Sequence, residues 1–428
     1  MTRLLLAVVL LLSGCSVPGT TRDTGCAPRD TKVMARYAIT GYWITPDEDA
    51  CRTRRSVEAA HRLGADTLIT MGPRLEPRDV DAEGRLLRDG LPDPGYEGVR
   101  RGPEVVRVYS YEVREQVGPG LLQCPGRDRV QGNLHLLYVP TAGSSCAKGT
   151  YDLVVVRVAD DGLGHLVREA AAYGMRVYAG LPAAPQDPAK PWIPDLAGPL
   201  NALTGQVLKD WRMRATGLAG VYQSFEMALK RRPANDPVLA LYKAQHAVVA
   251  ATAPGTTILV SPYLDARRGN GFPPGLVARG MAQLAAVGGG APMIVAVQDG
   301  RGTGKAAVYT PEEADAPVDP GLVPVVGQVT NSQGYYAPTR DYFVAAARHV
   351  PPGVQLWMNL EVFEPSPEAG PCPRKDGPQR GRTTKARVDR QLAAAADQVV
   401  KVVSYAWDPY LTCGSDPLVA EITRNSRI

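Results

Sequence analysis

Apolar positions along the chain follow two alternating rhythms. Short runs of β-branched and aromatic residues predict strands at Arg36 to Ile44, Asp66 to Met71, Met175 to Leu181, Leu218 to Glu226, Thr257 to Asp265, Met293 to Asp299, Val354 to Glu364 and Val399 to Tyr410. Between them the apolar residues return at helical spacing. This predicts helices over Arg52 to Leu63, Leu163 to Tyr173, Leu200 to Met213, Pro237 to Ala251, Pro274 to Val287, Arg340 to His349 and Lys385 to Asp397. Glycine marks two of the helix ends, in Leu63-Gly64-Ala65 and Tyr173-Gly174-Met175, where a left-handed residue closes the last turn before the next strand.

Strands alternating with helices argue for βα units and a parallel sheet. Eight such units, closed by a last helix over Leu418 to Arg424, give the count of an α/β (β/α)8 TIM barrel. An open, doubly wound sheet is the competing architecture. It calls for a glycine-rich nucleotide loop after the first strand, and Tyr42-Trp43-Ile44-Thr45-Pro46 is not one. The connection after strand two, about Gly72 to Asp161, is far too long for a bare loop. It is rich in Gly, Pro and Arg and holds extended stretches at Val105 to Val113, Asn133 to Val139 and Tyr151 to Val158, so a β-rich insertion is expected there. On a βα connection the insertion would wall the C-terminal face, where barrels keep their chemistry. Arg301 to Gln333, after strand six, is a second long loop on that face.

The first residues do not belong to this pattern. Arg3, an apolar run from Leu4 to Leu12 too short to span a bilayer, and Ser13-Gly14-Cys15 read as a lipoprotein signal over 1–14 with Cys15 as the lipidated residue. Residues 15–33 are then a tether and 34–428 the barrel domain, outside the cytoplasm and held to the membrane by an N-terminal lipid anchor. The six cysteines that remain, Cys26, Cys51, Cys124, Cys146, Cys372 and Cys413, suit an oxidising compartment. Proximity suggests pairing in that order, among 15 possible connectivities. With no Cys-x-x-Cys and 5 scattered histidines, neither a metal site nor a cofactor is expected. The formal charge of +5 is spread out, without basic runs interleaved with aromatics, so nucleic acid is not an expected partner. A monomer is expected.

Polar residues gather where the strands end. Strand four closes with Tyr222-Gln223-Ser224-Phe225-Glu226, strand five with Ser261-Pro262-Tyr263-Leu264-Asp265, and strand six with Gln298-Asp299-Gly300. Strand seven runs Trp357-Met358-Asn359-Leu360-Glu361, and strand eight ends at Trp407-Asp408-Pro409-Tyr410. Glu361 shares a face with Asn359 and Trp357 by the period of two, whereas Glu364 is out of step. Strands four and seven lie across a barrel from one another, so Glu226 and Glu361 can face each other. Two opposed carboxyl groups are what glycosidic cleavage needs. Tyr42, Trp43, Tyr222, Tyr263, Trp357 and Trp407 are candidate platforms for sugar rings, and Gln223, Gln298, Asp299 and Asn359 are candidate hydrogen-bonding partners. The plainer reading is a rim of carboxylates paired with arginines over an aromatic core.

The segments Ile39 to Trp43, Gly174 to Leu181, Gly220 to Glu226, Ser261-Pro262-Tyr263, Val297 to Gly300 and Leu356 to Glu361 occur in an order that resembles the domain-of-unknown-function family 4434. That resemblance implies a bacterial TIM barrel related to glycoside hydrolases, with Glu226 matching the family's strand-four acid and Glu361 its strand-seven acid. It implies no particular substrate. Together these readings give an extracytoplasmic glycoside hydrolase-like lipoprotein acting on a polysaccharide or envelope glycan. Retaining glycosidases with acids on these strands commonly place Asn directly before the strand-four acid, and Phe225 stands there instead. The alternative is therefore a non-catalytic, glycan-binding or structural lipoprotein on a degenerate barrel.

Other motifs read as structural. Asp160-Asp161 and Asp265 lack a cation-binding loop and are taken as solvated carboxylates. His246 and His349 fall within helical patterns. Gly300-Arg301-Gly302-Thr303-Gly304-Lys305 ends like a phosphate loop, but the opening glycine is replaced by Asp299 and the magnesium-binding hydroxyl by Ala306. No Gly-x-Ser-x-Gly elbow is present, which argues against an esterase.

Overall fold

The computed structural model describes residues 25–185, 196–214, 217–373 and 378–426. The signal segment and Cys15 lie outside them. Eight parallel strands close into a barrel in sequence order, with strand one paired to both strand two and strand eight. They are Ile39–Trp43, Thr67–Ile69, Arg176–Gly180, Leu218–Gln223, Thr257–Val260, Met293–Gln298, Val354–Glu361 and Lys401–Tyr405. The helices that follow strands one to eight match the helical rhythm to within a few residues, from Ala50–Arg62 to Leu418–Asn425. Each observed strand is shorter than the apolar run that predicts it, mostly at its C-terminal end. Glu226, Asp265 and Asp299 therefore stand just beyond their strands, in the loops that form the mouth of the barrel.

Gly64 and Gly174 adopt φ of 84° and 65° at their helix ends, as the sequence pattern requires. Gly64 N–H bonds back to His61 O at 2.8 Å and closes the first helix.

Ring contacts between strands that are not neighbours identify the interior of the barrel. Trp43 of strand one meets Tyr222 of strand four edge-on at 5.6 Å, and Tyr178 of strand three meets Trp357 of strand seven at 6.1 Å. Alternation then turns Tyr42 and Gln223 outward, toward the helical layer.

The long connection after strand two forms a five-stranded sheet in the order Leu75–Arg78, Val105–Val113, Tyr151–Val158, Leu134–Pro140, Arg129–Gln131. Its central strand is apolar almost throughout because both of its faces are covered. Val154 and Val156 join the core of the barrel, while Tyr151, Leu153 and Val155 join a second core with Leu86, Tyr96, Val99 and Leu136. The insertion is fastened to the barrel at its start. Gly72 N–H donates to Ser224 Oγ at 2.8 Å, and a Cβ on Gly72 would lie 1.7 Å from Leu181 O, so that position has no room for a side chain.

Cys26–Cys51, Cys124–Cys146 and Cys372–Cys413 are bonded, which is the pairing that proximity suggests. The first of these draws part of the expected tether onto the barrel. Arg29 and Arg54 both bind the buried Glu169, and Arg54 also donates to Ala27 O, so the chain is docked from Cys26 onward and does not hang free to residue 33. Among the described residues no helix is long and apolar enough to cross a membrane.

Candidate active site

Glu226 reaches the mouth because the turn before it is tied to the outer helix of its own βα unit, Pro237–Thr252. Gln223 points outward, where its amide donates to Gln245 Oε1 at 2.5 Å and its carbonyl oxygen accepts from Phe225 N at 3.2 Å. The hydroxyl of Tyr242 donates to Phe225 O. Gln245 in turn donates to Pro182 O and Thr204 Oγ1. This buried amide chain fixes the backbone that turns Glu226 back over the barrel. Gln223 is thereby part of the scaffold and does not face the mouth.

The Glu226 side chain is partly buried beside Tyr222, Tyr242 and Tyr263, with the polar Gln298 amide near enough to favour its ionised form. Gln298 is positioned by its donation to Ser261 O at 2.9 Å. Burial pushes the Glu226 carboxyl up to about 7, and the positive charges of Lys305 and Arg74 and the Gln298 amide hold it from rising further.

Glu361 ends strand seven on the inward face, in step with Asn359 and Trp357. Its carboxylate is 3 % exposed overall and is gripped by the loop after strand six. Thr303 N–H donates to Oε2 at 2.6 Å, and the Thr303 hydroxyl lies 3.4 Å from Oε1. Gly302 is required for this approach, since a Cβ there would lie 2.7 Å from Glu361 Cβ and 2.9 Å from Phe363 O. Burial, reinforced by the neighbouring Asp299, raises the Glu361 carboxyl well above its ordinary range, against the pull of Thr303 and Lys305. Asp299 is fully buried behind it. It accepts from Glu361 N, Arg301 N and the Gln391 amide, and burial raises its carboxyl as well. Two carboxyl groups this close share their titration.

Of the predicted site residues, the structure gathers Glu226, Glu361, Trp43, Tyr222, Tyr263, Gln298 and Asn359 around the mouth. Asn359 donates to Ser261 Oγ at 3.0 Å, while its buried Oδ1 has no hydrogen-bond partner among the described residues. The other five, Gln223 among them, are placed elsewhere. Tyr42 and Trp407 pack edge-on against each other at 5.0 Å on the outer side of the barrel wall, both nearly inaccessible. Trp357 is inside the barrel but near its opposite end, beneath Tyr178 and Lys401 and bonded to Gln355. Asp299 supports Glu361 from behind.

The neighbouring carboxylates are committed to structure. Glu364 is held by Arg301 at 3.2 Å, by Arg387 and by Thr383. Asp265 is buried and bound by Arg267 at 2.7 Å, and Asp161 caps a helix through Gly164 N, so neither is the solvated group expected from sequence. Asp408 accepts from Thr412 at 2.5 Å. Among the described residues no cluster of His, Cys, Asp and Glu could hold a metal. His246 is buried against Tyr242 with its Nδ1 on Val287 O.

Two functional side chains escape a reading based on strand ends. Thr303 and Lys305 sit in the glycine-rich loop rejected as a phosphate cradle. The only signal for them in sequence is that this loop follows strand six on the chemical face of the barrel.

Residues 137–417 match the family model described as Domain of unknown function (DUF4434). The chain belongs to this family. The DUF4434 match begins inside the insertion, so strands one and two, with Ile39 to Trp43, lie outside it. No curated protein matches the chain. Among solved structures this DUF4434 barrel is similar to a protein assigned as an α-L-fucosidase from Bacteroides thetaiotaomicron VPI-5482, at 14% identity and a TM-score of 0.48, with 96% of each chain covered. It is also similar to a class V chitinase from Pseudomonas fluorescens Pf-5, at 11% identity and a TM-score of 0.40, covering 90% of this chain and 98% of that one. A family GH18 chitinase from Chromobacterium violaceum follows at 10% identity and 0.36, with 93% and 84% covered.

Proposed function

We propose that the protein is a glycoside hydrolase acting on a polysaccharide or envelope glycan outside the cytoplasm, tethered by lipid at Cys15. One observation carries the reading. Carboxyl groups from the ends of strands four and seven stand in one barrel mouth, both lifted by burial, with the charge of Lys305 acting on both. A carboxyl group with a pKa near neutrality can hold a proton for the leaving oxygen and take one back from water.

Glu226 is the general acid/base in this mechanism. Its apolar and phenolic surroundings favour the protonated form, and the Gln298 amide orients it. Glu361 is the nucleophile, held against rotation by Thr303. As positive charge develops at the anomeric carbon, the Glu361 carboxylate attacks while Glu226 passes its proton to the departing oxygen. Water then enters, activated by Glu226, and releases the sugar from Glu361. Gln298 and Asn359 offer polar contacts to ring hydroxyls, and Gln298 supports the role left open by Phe225.

Purified mature protein should be tested on a glycan panel with reducing-end detection, alongside Glu226→Gln and Glu361→Gln. Cleavage lost in both variants supports the assignment, and cleavage at wild-type rates in both rejects it. Phe225 favours a second reading, a barrel that binds glycan without cleaving it. Binding without turnover on any glycan would select that reading.

A further inference from the structure

Lys305 brings a positive charge to the mouth of the barrel, and no carboxylate of the described residues lies within ion-pair distance of it. Its Nζ stands 3.8 Å from the centroid of the Tyr263 ring. The segment that carries it is fixed on both sides. Thr303 is bonded to Glu361, Lys305 O accepts from Ala266 N at 2.7 Å, and Ala306 N–H closes onto Gly300 O at 3.0 Å. A second cation, Arg74, stands at the start of the insertion, and its charge acts on Glu226. Its backbone is pinned through Leu75 N–H to Ala183 O at 2.8 Å, and among the described residues its guanidinium has no ion-pair partner. Nearby arginines behave differently, since Arg301 and Arg387 are both spent on Glu364. On the floor of the mouth Asn359 Oδ1 is a buried acceptor without a donor among the described residues.

A neutral sugar would strip water from the Lys305 ammonium and leave it only the charges of Glu226 and Glu361, neither within ion-pair distance, which is costly. A sugar carboxylate or sulfate would supply that charge with charge-assisted hydrogen bonds, and an adjacent hydroxyl would satisfy Asn359. We propose that the site takes an anionic glycan, its acidic group seated on Lys305 and flanked by Arg74. This rests on the glycosidase reading for the position of the sugar, but not for the anion contact itself.

The test is calorimetric titration at low ionic strength with two matched pairs of probes. One pair is α-1,4-trigalacturonate and its methyl ester, and the other is a sulfated carrageenan tetrasaccharide and its desulfated form. At least one acidic probe should bind about tenfold or more tightly than its neutral counterpart. Lys305→Met should remove that difference and Lys305→Arg should restore much of it. Should Lys305→Met fail to fold, Arg74→Ala at an exposed position should still weaken the same probe. Equal affinity within both pairs, or binding of no acidic probe, overturns the inference. Neutral glycans cleaved in a Glu226-dependent way would leave the glycosidase reading standing and remove the anion site. Acidic probes bound through Lys305 but never cleaved would do the reverse.

Discussion

Thr303 N–H donates to Glu361 Oε2 at 2.6 Å, so the loop leaving strand six seats the acid that ends strand seven. The donor is a backbone group that only proline would remove, but it can also be displaced. Gly302→Ala would force a Cβ to within 2.7 Å of Glu361 Cβ and 2.9 Å of a backbone oxygen. The loop must lift, at a cost of about 1–3 kcal/mol. Turnover should fall more steeply than substrate affinity, as read by kcat against KM on the first glycan found to be cleaved.

Glu226→Gln should lower kcat by about 10²–10⁴-fold on natural linkages and far less on aryl glycosides whose leaving group needs no proton. Glu361→Gln should abolish turnover on both. Glu364→Gln would test the ion-pair assignment, since it should reduce thermal stability through Arg301 and Arg387 without a selective effect on leaving groups. A leaving-group dependence in that variant would move the chemistry to Glu364.

The raised Glu226 carboxyl makes a prediction about stability with a definite sign. Its folded value of about 7 lies above the ordinary 4.5, so between those values the folded protein holds a proton that the unfolded chain has released. Stability from this group is therefore lost as pH rises from 4.5 to 7, by on the order of 3 kcal/mol before solvent screening of the part-exposed carboxyl reduces it. Glu226→Gln removes the titrating group. Its melting temperature relative to wild type should rise between pH 4.5 and pH 8, and a difference that stays constant with pH would contradict the assigned burial.

The three disulfides close loops of 25, 22 and 41 residues. Each should contribute about 3–4 kcal/mol by restricting the unfolded chain. Alkylation of the folded, unreduced protein should label none of these six cysteines, and reduction should lower the denaturant midpoint.

Cys15→Ser tests the anchor. The variant should be released from the membrane fraction and lack the acyl mass expected on the wild type. Retention of the variant in the membrane together with an unmodified wild-type mass would reject lipidation.

The barrel was legible in the sequence because each strand and helix carries its own period, and glycines such as Gly64 and Gly174 punctuate them. The place of Glu226 and Glu361 at their strand ends was legible because strand ends concentrate polar residues against an apolar background. Contacts made between loops leave no such period. Nothing in the spacing of Gly302, Thr303 and Lys305 signals that they fold onto Glu361, a residue more than fifty positions later. Tyr42, Gln223 and Trp407 show the opposite error. Their residue types suit a sugar site, but a single step of strand parity turns Tyr42 and Gln223 toward the helices, and Trp407 follows Tyr42.

The central strand of the insertion gives alternate side chains to two cores, Val154 and Val156 to one and Leu153 and Val155 to the other. A segment locked on both faces cannot swing as a hinged flap without breaking one of them. In the function proposed above, whatever the insertion contributes to glycan selection is a shape fixed before the ligand arrives.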